Sequence, residues 1–222
     1  IRDPVVTGVQ TCALPIFEQL ESLAESKEVN VPGKHILDKA VVKGDAFVYN
    51  IARVKDRARV EGDAWVMDAA VVSGNAIVSG NARVKDDAVV EGYARVGGHA
   101  VVQGNANVRA SAHVRGNANV RGKAVVRDYA SVEGRTYVQG NALVRGSARV
   151  WGRSSLAEKA VVSDSALVKG NALVLGQALV TGRAVVEGSA RVQGKAWIGG
   201  KATITGGTWD GSEGPVLEGK WK

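Results

Sequence analysis

The chain has 222 residues and a formal charge of +7, and its hydrophobic 45% contains only two Phe and one Met. An apolar fraction made mostly of Ala and Val suits a narrow core better than a broad globular one, because small side chains fill little width. No apolar run reaches the 18 or more residues of a membrane-spanning helix. The positive balance permits attraction to polyanions, although a solvated surface rich in Arg and Lys is the simpler reading.

Residues 6–16 read VTGVQTCALPI, which resembles the translation of a sequencing adapter. Residues 1–16 are therefore expected to be an artefact or disordered, as an expression scar would be. The alternative, a lipoprotein-like signal ending at Cys12, lacks the charged and apolar stretches such a signal needs. Cys12 is the only cysteine, so cysteine usage says nothing about redox compartment. The chain starts with Ile1, and its only Met is Met67; the true start is expected to be missing, as in a bacterial metagenomic fragment. Localisation stays open, with a cytoplasmic setting favoured.

Residues 17–35 form the expected N-terminal cap. In Phe17–Glu28, the residues Phe17, Leu20, Leu23 and Ala24 fall on one side of a helix of good formers without Pro or Gly. A segment this short is marginal as an isolated helix, so it is expected to cover the first coil of the repeat. Pro32-Gly33 then marks a turn.

Residues 36–206 repeat one six-residue unit. Every sixth position from 40 to 202 is Ala, except Thr136 and Ser154. Two residues later stands Val, replaced only by Leu156, Ile198 and Ile204. Two further on stands Gly, Asp or Asn, except at Ala110 and Glu158. No residue is inserted or deleted, and such a fixed period sets the architecture before any local reading. In Ala-x-Val-x, alternate residues point to one side of a strand, so Ala and Val face inward. Gly, Asn and Asp tolerate the left-handed backbone that a corner needs. Three such hexads close one triangular coil. The expected fold is all-β: a single-stranded parallel β-helix of about nine coils, about 45 Å long at about 4.8 Å per coil. Residues 207–222 break the pattern, and Trp209, Val216, Leu217 and Trp221 are expected to form a C-terminal cap or tail.

The repeat of small residue, spacer and aliphatic resembles the hexapeptide-repeat, left-handed parallel β-helix superfamily, whose well-known members are trimeric acyltransferases. The left hand is implied by the resemblance alone, since general crossover rules favour the right. The Gly here falls one residue later than in many members. The Gly-Asn-Ala-x-Val style is closer to uncharacterised bacterial and phage-associated hexapeptide proteins.

The resemblance implies a catalytic His and a projecting loop for the acyl donor. This sequence has no insertion for such a loop. Of its three His, His35 lies in the cap, His99 at a corner, and His113 points outward from a strand, which makes His113 the candidate general base. Acetyl-CoA would be a cofactor only under that reading, and no cofactor is otherwise expected. Residues on one side differ by multiples of three hexads, so His99 and His113 fall on different sides, and no metal site is expected. Asp56, Asp68, Asp86, Asp128 and Asp164 follow the corner column, and turn chemistry explains them.

Sorting the outward residues by side is more informative. One side carries Val71, Val89, Val125, Leu143, Val161, Leu179 and Trp197, interrupted by Arg53 and Asn107. An exposed apolar stripe marks an interface, so a homo-oligomer, such as the trimer the resemblance implies, is expected through this side. Beside it Arg109, Arg127 and Arg145 stack as a candidate anion-binding ladder, although a solvated ladder is the simpler reading. The absence of interleaved aromatics argues against nucleic acid. The leading expectation is a non-catalytic structural or scaffolding solenoid. The alternatives are an acyltransferase-like enzyme with a site between subunits and a binding module for an anionic polymer.

Overall fold

The computed structural model describes residues 35–222; the helix expected at Phe17–Glu28 and the segment 1–16 lie outside them. The described chain is a parallel β-solenoid of roughly ten coils, with no helix among the described residues. Its strands are two residues long and fall in rotation onto three sheets. Face 1 has nine strands, from Arg53–Val54 to Trp197–Ile198; face 2 has eleven, starting at Val41–Val42; face 3 has ten, starting at Phe47–Val48. Within the hexads each residue pairs with its counterpart three hexads further on, as Val125 pairs with Leu143 and Arg95 with His113.

The inward columns form one continuous core. Ala and Val from Ala46 to Ile204 are essentially inaccessible to solvent. Each coil is tied to the next by backbone bonds between stacked strands, such as Val125 N donating to Ala142 O at 2.9 Å. No residue of a coil has to reach across the interior, so Ala and Val suffice to fill it.

The corners set the shape. At every sixth residue from Asp38 to Gly200, φ is positive, between +56° and +88°. For most of these residues glycine removes the steric cost. Space is tight as well: a Cβ on Gly152 would lie 2.8 Å from the carbonyl oxygen of Gly170. Asp takes the same conformation with a compensating bond. The carboxylates of Asp56, Asp86, Asp128 and Asp164 each accept the amide of the corner residue one coil later, at 2.8–3.0 Å. Asp38 and Asp68 do so at 3.2 Å. Ala110 has a φ of +56° with a side chain that can accept nothing.

Two buried hydroxyls stand in the Ala column. Thr136 Oγ1 donates to the carbonyl of Glu133, and Ser154 Oγ to that of Trp151. Each satisfies its own polar group at the bend, which is what a buried hydroxyl requires.

The tail is a further coil, which the hexad count omits because its register slips. Thr208–Trp209 pairs with Arg191–Val192, and Lys220–Trp221 with Thr203–Ile204, both one position short of the regular offset. Val216 bridges Ile198 in the regular register. Trp209, Val216 and Trp221 thereby extend the inward Val columns. The two indoles meet edge to face with centroids 5.7 Å apart. Their N–H groups donate to the carbonyls of Gly206 and Glu218.

An Ala in the left-handed region carries about 1–2 kcal/mol of strain. Ala110→Gly is therefore expected to raise stability by about 1 kcal/mol, after allowing for the extra freedom of glycine in the unfolded chain. Gly152→Ala is expected to lower stability by more than that. Denaturant midpoints of the two variants against the parent check both signs.

Candidate functional site

Face 1 places the apolar outward residues in one file. Val71, Val89, Val125, Leu143, Val161 and Leu179 are half-buried against their stacked neighbours, and Trp197 is 45% exposed. The next outward column on this face is polar: Ser73, Glu91, Arg109, Arg127, Arg145, Ser163 and Thr181. The stripe is thus a single column wide. Within it Asn107 Oδ1 is buried without a hydrogen-bond partner among the described residues. Arg109, Arg127 and Arg145 are brought together on consecutive coils, as their flanking strands show. Arg127 Nε is buried and unbonded, 4.0 Å from Asp128 Oδ2, too far for a hydrogen bond.

Face 2 surrounds His113 with charge. One outward column runs Arg95, His113, Ser131, Arg149, each on the strand after the last. The adjacent column runs Gly97, Arg115, Glu133, Trp151. Arg115 Nη2 donates to Glu133 Oε1 at 2.8 Å, and Ser131 Oγ donates to the same oxygen at 2.7 Å. The extended backbone holds neighbours in one column about 4.8 Å apart, and the two residues flanking an inward Val about 7 Å apart. These eight positions therefore form one surface rather than a set of remote residues.

The electrostatics follow from that crowding. Burial and then the charges of Arg95 and Arg115 push the His113 imidazole below its ordinary value, against the opposing pull of Glu133. Burial alone would raise Glu133. The hydrogen bonds from Arg115 and Ser131, with the charges of Arg115 and Arg149, outweigh it and hold the carboxyl below its ordinary range. Arg115 and Glu133 are thus an ion pair, and the surroundings of His113 favour its neutral form.

The sequence singles out His113, but reading it alone does not group it with Arg95, Arg115, Ser131, Glu133, Arg149 and Trp151. The signal was present, since positions 95, 113, 131 and 149 are evenly spaced by three hexads; a search for apolar rows passes over it. Nor does reading the sequence alone bring out an exposed aromatic patch on the first coils of face 3. There the Phe47 and Trp65 rings meet at a tilt of 53° with centroids 5.3 Å apart, and the Arg83 guanidinium lies 5.8 Å from the Trp65 ring.

His99 lies at an exposed corner between faces 2 and 3, away from His113. Among the described residues no three His, Cys, Asp or Glu come together in a way that could hold a metal ion. A scan against protein-family models finds no match to the chain, and neither does a search of curated proteins.

In an NMR titration His113 is expected to protonate below the ordinary imidazole value of about 6.5. Arg95→Gln should move it upward, and Glu133→Gln further down. Because the folded value lies below the unfolded one, any stability linked to His113 is complete above the unfolded value. It is lost as pH falls through the folded one.

Proposed function

We propose that the chain is a non-catalytic structural or scaffolding solenoid of the hexapeptide-repeat, left-handed β-helix type, which self-associates through face 1. The observation that supports this reading most directly is the file of apolar side chains along that face, unbroken over its last five coils. Consecutive coils from Val125 to Trp197 carry it without a polar break.

Magnitudes decide how much of the face such an association needs. Nine strands at about 4.8 Å make a row about 40 Å long, and four residues of extended chain make it about 13 Å wide. The face then offers roughly 500 Å² per partner, or about 1,000 Å² in total, the lower bound of a specific interface. An association through this face has no surplus. It uses the full length, and a charge placed in the middle is costly because it is buried without a partner.

Sedimentation of the parent chain is expected to give a multiple of the chain mass, and the Leu143→Glu, Leu179→Glu double variant the monomer mass. A parent chain that is monomeric at all accessible concentrations, or a double variant of unchanged mass, sinks the proposal.

A further inference from the structure

Face 2 departs from the repeat where its charged surface meets the next corner. Thr136 and Ser154, the two replacements of inward Ala, are stacked on consecutive coils, at the bends that follow Glu133 and Trp151. Gly152, between Trp151 and Ser154, has a φ of +88°, the most positive of the periodic corners. Local rules are broken most often where a protein does something other than fold. In a repeat this regular, two stacked exceptions mark the place.

The surface beside that bend is a broad, shallow depression lined by Arg115, Ser131, Glu133, Ser147, Arg149 and Trp151, among others. The Trp151 indole is 47% exposed, with no hydrophobic reason to stand outward on a coil whose core Val150 is complete. Glu133 is held as a carboxylate with Arg115 and Ser131 already bonded to one oxygen, so its other oxygen is free to accept. Arg149 makes no hydrogen bond or ion pair with any described residue. Arg149 thus stands two residues along the strand from the exposed Trp151, a backbone separation of about 7 Å, with the Glu133 carboxylate one coil below.

We infer that this surface binds an acidic oligosaccharide, a chain of uronate-type sugars lying along face 2. The C–H face of a pyranose ring stacks on the electron-rich face of Trp151. The ring carboxylate takes the planar fork of Arg149, which suits bidentate recognition of a carboxylate. Sugar hydroxyls donate to Glu133 and exchange bonds with Ser131 and Ser147. Arg115 and Arg95 extend the positive lining down the preceding coils of the same face, so neighbouring acidic residues of the same chain find counter-charge. Glu133 is what separates this ligand from a nucleic acid. A carboxylate among the cations repels a line of phosphates, while it is a good acceptor for hydroxyls. The surface lies on a different side of the prism from the apolar file, so the inference stands apart from self-association.

The test is calorimetric titration of the full chain with a galacturonate pentamer, a neutral galactose pentamer and a single-stranded oligonucleotide. Saturable binding of the acidic pentamer is expected, at least tenfold weaker for the neutral one. Trp151→Ala and Arg149→Gln should each weaken it at least tenfold. Arg149→Gln alters only an exposed, unbonded side chain and so guards against misfolding of the Trp variant. Arg109→Gln with Arg145→Gln on face 1, and Leu143→Glu with Leu179→Glu, should bind as the parent does. No saturable binding, binding indifferent to both face 2 variants, or tighter binding of the oligonucleotide overturns the proposal.

Discussion

A residue held at positive φ once in every six turns a run of extended chain into a closed triangle, and the rest of the molecule depends on that bend. The inward columns stack only because each corner rotates the chain by the same amount. Three solutions to the bend coexist. Glycine removes the steric cost. Asp accepts the cost and offsets it with a bond to the next coil, as Asp86 does to the Gly104 amide. Ala110 has no side-chain acceptor to offer and keeps the same angle, held by the coils on either side.

The consequence is a division of the molecule into columns that barely interact. Inward residues are sealed from solvent from Ala46 to Ile204, so an outward substitution changes its own column and little else. An apolar file can run down one face while a charged surface develops on another, with neither compromising the core. Such a scaffold accommodates chemistry by row. It does so on flat surfaces, since among the described repeats no loop projects between strands.

This separation also explains what the sequence made legible. A period of six with Ala and Val fixed in phase specifies which residues face in, and the step of three hexads specifies which outward residues meet; His113 beside Arg95 and Ser131 follows from arithmetic. The last coil was hidden because Trp209 and Trp221 enter the inward columns one residue early, so a search in strict phase loses them. Thr136 and Ser154 were visible as exceptions, but each taken singly looks like scatter. Only stacking shows that they share a corner and adjoin Trp151. The ionisation of His113 and Glu133 was not legible at all, because it depends on partial burial and on which oxygen Arg115 reaches.

The aspartate corners have a direction built into them. The parallel ladders exchange bonds both ways, as at the first described coil, where Leu37 N donates to Val54 O and Val54 N to His35 O. The corner carboxylate does not: it belongs to the earlier coil, and the amide it receives belongs to the later one. A finished coil therefore presents to the chain beyond it both halves of each strand ladder and, at an aspartate corner, a waiting acceptor. During synthesis the part already made is a mould for the part still emerging. The solenoid can lengthen in the order of translation, one coil at a time, without waiting for its far end.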